Sequence, residues 1–162
     1  MTLPLRFLAA LLVALGATCC ARHDPETLGY FKVAMAANRV ADQLVQKGET
    51  TAAGELLRIA ADRPAPAGAQ PDDARIVRQD LYYRVADLAL ATGSVDAATR
   101  AASKGIELGR GTDVFTANLL IVRGRAFEQG KDVASASRDY HDALVITDKL
   151  LEERLRGAPK GP

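Results

Sequence analysis

The chain has 162 residues, 48% of them hydrophobic and 25% charged, which suits one ordinary folded domain and excludes a disordered, charge-rich chain. Twenty-one Lys and Arg against 20 Asp and Glu give a formal charge of +1, so no global field draws the chain to nucleic acid. No Trp, two His, two Cys and thirty Ala leave little material for catalysis, metal binding or base stacking, and much for helices.

Residues 1–20 read as a signal peptide. Arg6 supplies the positive start, Phe7 to Ala17 is an unbroken apolar run, and small residues with Cys19 and Cys20 follow. The run is well short of the roughly 20 residues a helix needs to cross a bilayer, so a permanent anchor is the weaker reading. Ala17-Thr18-Cys19-Cys20 resembles the lipobox of bacterial lipoproteins. The resemblance implies diacylglycerol on Cys20, with Cys19 as the alternative, and cleavage before it. Leu is not three residues before either cysteine, and cleavage after Ala21 would instead release a secreted chain. Either outcome leaves no cysteine for an internal disulfide. Removal of Arg6 with the leader leaves the rest formally neutral.

Residues 21–28 read as a polar tether, 29–156 as a helical domain and 157–162 as a disordered tail. Within the domain three tight turns interrupt apolar-periodic stretches: Gly48-Glu49, Gly93-Ser94 and Gly130-Lys131-Asp132. Glycine there can take the left-handed conformation that ends a helix, and Glu49, Ser94 or Asp132 can cap the next. Longer loops at 63–73 and 109–113 separate the pairs, the first with three prolines and ending in two Asp. Leu81, Val85, Leu88 and Ala89, then Val95, Ala98, Ala102 and Ile106, follow helical steps. So do Val133, Ala136, Tyr140, Ala143, Leu144, Thr147, Leu150 and Leu151, which places Arg138, Asp139 and Asp142 mainly on other faces. Nothing alternates with period two, and the expected class is all-α.

Gly124, Phe127, Ala136, Tyr140 and Ala143 are spaced small, large, small, large, small, and this pattern resembles the tetratricopeptide repeat (TPR), a 34-residue helical hairpin. Ala86, Ala89, Ala98, Ala102 and Gly105, and before them Ala41, Leu44, Ala53, Leu57 and Ala60, fill the same places in degenerate form. The likeness spans about residues 34–150. It implies a right-handed solenoid of about three hairpins, in which the first helix of each lines a concave groove. The groove positions it implies include Asn38, Asp42, Asp80, Tyr83, Asp87, Asn118, Ile121 and Arg125, beside Met35, Val45, Gln46, Leu90, Ala91, Glu128 and Gln129. Such a surface suits a protein or peptide partner. Asp42, Asp80 and Asp87 share it with Arg125, so a segment carrying positive charge is the expected ligand.

No P-loop, nucleophile elbow or metal-binding motif occurs, and no enzyme, cofactor, metal or nucleic-acid role is expected. His141 reads as a surface residue. Arg123-Gly124-Arg125 and Gly109-Arg110-Gly111 could touch phosphate, but close helix packing at Gly124 and a turn at Gly109–Gly111 explain them better. The expected function is that of an exported, lipid-anchored adaptor or scaffold in an envelope assembly. Ala21 after Cys20, rather than Asp, favours the periplasmic face of the outer membrane. The alternative is a secreted or periplasmic helical domain with no groove ligand. Leu144, Leu151 and Leu155 extend the apolar stripe of the last helix, either as a cap on the stack or as a surface for self-association.

Overall fold

The computed structural model describes residues 24–157. The leader, Cys19, Cys20 and the tail beyond Gly157 lie outside the described residues. Within them are six helices and no strand: α1 (Pro25–Gln46), α2 (Thr50–Asp62), α3 (Pro71–Ala91), α4 (Val95–Glu107), α5 (Val114–Gln129) and α6 (Val133–Gly157). The all-α class is therefore correct.

Local chemistry sets where the helices begin. The Asp24 carboxylate accepts from the Thr27 backbone N–H at 3.2 Å and Pro25 takes the first helical position, so α1 starts inside the stretch read as a tether. Thr27 and Tyr30 are buried, which ties this first turn to the domain. Pro71 opens α3 with Asp72 and Asp73 in its first turn, where the helix dipole favours negative charge. Asp113 caps α5 through Thr116 N–H at 2.8 Å, and Asp132 caps α6 through Ser135 N–H at 3.1 Å. Glu49 and Ser94 hold the corresponding cap positions without a side-chain bond, contrary to expectation. The Ser94 hydroxyl instead lies 3.5 Å from the Thr92 hydroxyl.

The three tight turns share one backbone geometry. Glu49 N–H donates to Leu44 carbonyl, Ser94 N–H to Ala89 and Asp132 N–H to Phe127, each at 2.8 Å. The first bond of each following helix repeats too: Ala53 to Glu49, Ala98 to Ser94 and Ala136 to Asp132, each at 3.0 Å. This is the six-to-one closure of a Schellman motif, used three times. The residue at positive φ is Gly48 at 81°, Gly93 at 75° and, in the third turn, Lys131 at 65°. The left-handed role expected of Gly130 thus falls to Lys131, one residue on, and Gly130 sits at −77° as the helix C-cap.

Each helix packs on the next in sequence, and the first helices of the hairpins also pack on one another, α1 on α3 and α3 on α5. Among the described residues the backbones of α2 and α4, or of α4 and α6, do not meet. The core follows the small-residue pattern: Ala41, Ala53, Ala86, Ala98, Gly124 and Ala136 are all buried. Gly124 does allow close packing, since a Cβ there would stand 2.6 Å from the Tyr140 ring. Gly105 likewise leaves room for Leu119, whose methyl would be 2.7 Å from an added Cβ.

The last helix departs from its predicted face. Ala136 and Ala143 are buried as expected, but so is Asp139, while Leu144, Leu151 and Leu155 are 57%, 58% and 66% exposed. At 25 residues against 16, α6 runs on past the end of α5. The buried Asp139 has a partner: Arg123 forks onto both carboxylate oxygens at 2.7 Å and reaches the Ser103 hydroxyl at 3.3 Å. This fork ties α4, α5 and α6 together. It also explains why Asp139 leaves the polar face, because a charge can be buried where a bidentate partner meets it.

Three stability outcomes follow. Lys131→Gly relieves a left-handed conformation that costs a side chain about 1–2 kcal/mol, less the entropy glycine forfeits, so thermal or urea unfolding shows a gain of about 0.5–1 kcal/mol. Gly93→Ala, in the equivalent turn, loses about 1 kcal/mol. Asp139→Ala strands the Arg123 charge and lowers stability by about 3 kcal/mol in the same measurement.

Candidate functional site

A strip along α1, α3 and α5 carries two shallow concavities. The first, of about 510 Å³, is lined by Asp42, Val45 and Gln46 of α1 and by Asp80, Tyr83, Arg84, Asp87 and Leu88 of α3. The second, of about 420 Å³, is lined by Asp87, Leu90 and Ala91 of α3 and by Arg125, Glu128 and Gln129 of α5. Asp87 belongs to both, so the concavities meet at that residue. They lie on consecutive first helices because α3 packs directly on both α1 and α5.

Most of the predicted groove residues are brought together here. Asp42, Asp80, Tyr83, Asp87 and Arg125 line the concavities, as do Val45, Gln46, Leu90, Ala91, Glu128 and Gln129. Asn38 stands at the margin, engaged with α3: its amide donates to Asp80 at 3.5 Å and its carbonyl oxygen accepts from Arg84 at 2.7 Å. Asn118, Ile121 and Met35 line neither concavity, although Ile121 and Met35 are exposed on their helices.

The charge pattern differs from expectation. Asp42 is ion-paired with Arg84, and Asp87 with Arg125 at 2.8 Å, so two bridges cross the strip from one helix to the next. Asp80 accepts from Asn38, and Glu128 accepts from the Tyr140 hydroxyl at 2.8 Å. The two ion pairs reduce the acidic excess of the strip, while Asp80 and Glu128, bonded to neutral donors, keep their charge. Arg84 was the residue missed, because it falls outside the repeat's groove positions. Its separation of 42 residues from Asp42 gives no local sequence signal.

The remaining polar clusters fix the frame. Gln79 is fully buried, donating to the carbonyls of Gly105 at 3.2 Å and Gly109 at 2.7 Å and accepting from Arg75 at 2.7 Å. Arg75 also pairs with Asp113 at 2.9 Å, and Gly111 N–H donates to the Thr116 hydroxyl at 3.1 Å. Arg110 pairs with Asp142 at 3.0 Å. The 109–113 loop is thus a pinned turn whose polar groups bond within the chain, which answers the phosphate reading of that segment. At the end of α2, Asp62 takes the Tyr82 hydroxyl, Arg58 at 2.7 Å and Lys104 at 3.4 Å, joining α2, α3 and α4. His141 is exposed. No group of three or more His, Cys, Asp or Glu among the described residues could hold a metal ion.

Titration of these clusters has a defined sign. The Tyr82 hydroxyl, then Lys104 and Arg58, hold the Asp62 carboxyl below its ordinary value against the cost of burial. Burial opposes the charge on Asp113 as well, but the Thr116 N–H and Arg75 outweigh it and its pKa is lowered. Burial first, then the bond to Asp62, raises Tyr82 to about 12.

The site and fold define an all-α chain of three helical hairpins with an open polar strip. Comparison with known proteins finds no matching family model, no matching curated protein and no matching solved structure. No helix among the described residues is long and apolar enough to cross a membrane.

Stability is expected to be level through neutral pH. Both carboxylates have folded pKa values below their unfolded ones, so their contribution is whole above about pH 4 and is lost as pH falls through the folded values. Tyr82, raised in the folded state, contributes below about pH 10, and that contribution fades as pH rises toward about 12. Urea midpoints measured against pH check this: Asp62→Asn flattens the acid limb, and Tyr82→Phe flattens the alkaline one.

Proposed function

We propose that this chain is an exported, lipid-anchored adaptor whose hairpins form a TPR-like solenoid and hold a protein or peptide segment along α1, α3 and α5. The observation that carries the reading is the strip itself. Its two concavities run across three successive first helices and are lined at the positions the repeat resemblance implies. The identical turn closures, 45 and 38 residues apart, and the burial of small residues in register support a repeat whose units differ in loop and helix length. The ligand is a segment with apolar side chains for Tyr83 and Leu90 and polar backbone for Gln46 and Gln129. With Asp42 and Asp87 paired to Arg84 and Arg125, the residual negative charge of Asp80 and Glu128 favours a segment with a positive group over an acidic one.

The anchor is diacylglycerol on Cys20, or on Cys19, and the location is the cell envelope, at the periplasmic face of the outer membrane. Metabolic lipid labelling separates these: wild type and Cys19→Ser take label and Cys20→Ser does not, whereas an unlabelled wild type overturns the anchor. For the strip, a photoreactive side chain at Tyr83 in the full chain is expected to capture a partner from the envelope. Tyr83→Ala is expected to lower copurification of that partner at least about tenfold at an unchanged level of the chain. The self-paired carboxylates favour one other reading, a secreted or periplasmic helical domain without a ligand on this strip, and absence of any adduct at Tyr83 would support it.

A further inference from the structure

The first hairpin carries an apolar face that its two successors use internally. Val33, Ala36, Ala37 and Val40 of α1, Leu56, Ile59 and Ala60 of α2 and its C-cap Arg63 line a shallow groove of about 290 Å³ on the side of α1 and α2 away from α3. Val33, Val40 and Ile59 are 43%, 44% and 58% exposed. Counting forward by the 45- and 38-residue intervals between turns gives the same positions in the later hairpins, and there they form the junction with the preceding one. Ala36, Ala37 and Leu56 become Leu81, Tyr82 and Ala101, then Leu119, Leu120 and Asp139, all buried. Val33 becomes Arg78 in the second hairpin, which donates back to Ala61 carbonyl at 2.9 Å, and Val40 becomes Val85 and then Arg123 in the third, which donates back to Ser103 at 3.3 Å. Ile59 becomes Lys104, paired back to Asp62 at 3.4 Å. Among the described residues no hairpin packs on this junction face of the first hairpin, and at Val33, Val40 and Ile59 the face is apolar where at least one successor bonds.

The matching half lies at the other end of the chain. What meets these junctions from the preceding hairpin is its second helix, around Leu57 and Ala61 of α2 and around Ala102 and Ile106 of α4. The same positions in α6 are Tyr140 and Leu144, and Leu151 and Leu155 carry the stripe along the overhang. Asp148 and Glu152 border this stripe on one side and Arg154 on the other. Lys32, Arg39 and Arg63 border the groove of the first hairpin. The Glu152–Arg156 pair at 2.7 Å is solvent-exposed and of little hindrance to a new partner.

We propose that the occupant of the α1–α2 groove is α6 of a second copy, seated as α2 is seated against α3, so that copies join head to tail. Apolar groove meets apolar stripe and basic border meets acidic border. The contact is heterologous, so a joined pair keeps one free groove and one free stripe, and addition continues until a ring closes or the chain of copies ends. The proposal does not depend on the α1–α3–α5 strip or on lipidation.

The test uses the full chain, produced with two different tags in one cell, with a photoreactive phenylalanine analogue at Ile59. The expected product is an adduct between the two tags, mapped to residues 139–155 of the second copy. Leu151→Glu in that copy lowers adduct yield at least about tenfold by burying an unpaired charge, while Val145→Glu, on the same helix outside the stripe, leaves it unchanged. Steady-state level of the chain reports folding of each variant. Adducts to residues 7–17 of the same chain, adducts joining two α1–α2 faces, adducts only to lipid or to other proteins, or a yield indifferent to Leu151→Glu would each overturn the proposal.

Discussion

Close approach of helix backbones is the constraint on which this structure depends. With few aromatic side chains, the chain cannot fill wide gaps between helices, so the helices must come near, and they can do so only where alanine or glycine stands at the contact. Gly105 shows the consequence most sharply. It lies against Leu119 and Tyr82, so α3, α4 and α5 meet at a point with no side chain of its own. Gly124 makes the same allowance for the Tyr140 ring. Adding a methyl at either position asks a packed neighbour to move, which in a core of this density costs about 1–3 kcal/mol.

A core made of alanine offers modest apolar burial for each residue ordered, and the polar clasps matter more in consequence. Arg123 on Asp139, Gln79 on the carbonyls of Gly105 and Gly109, and Tyr82 on Asp62 each bridge elements that the small side chains bring together. In these clasps an Arg, a Gln amide or a Tyr hydroxyl meets a carboxylate or a backbone carbonyl across a hairpin junction or within a hairpin. They give the alanine contacts directional partners, which fixes the register of one helix against the next.

The class, the helix pairs and the turns were legible because local chemistry writes them: glycine at two left-handed positions, proline at two helix starts, and apolar residues at helical steps. The start of α1 was also written there, in Asp24-Pro25, yet the polarity of residues 21–28 hid it. Where the sequence misled, distance along the chain was the reason. Asp139 and Arg84 look like solvated charges until Arg123 and Asp42 are placed beside them, and no window of neighbouring residues contains those pairs. Leu144 and Leu151 mislead in the opposite direction. Periodicity reports which residues share a face, but not whether a neighbour covers it: Leu144 lies beside α5 on a face that no described helix packs on, and Leu151 lies beyond Val114, where α5 begins. Of the strip, the helices and most of its lining were readable, and its electrostatics were not.

Among the described residues no helix packs on one more than two places away in sequence, so no contact between them staples the first hairpin to the last. Tension applied between the termini therefore meets each hairpin interface in turn. The molecule would lengthen in steps of one hairpin, the outer ones yielding before α3, which is held on both sides. In mechanical terms it is a short extensible spring, and its response to load is graded by the strength of the separate clasps.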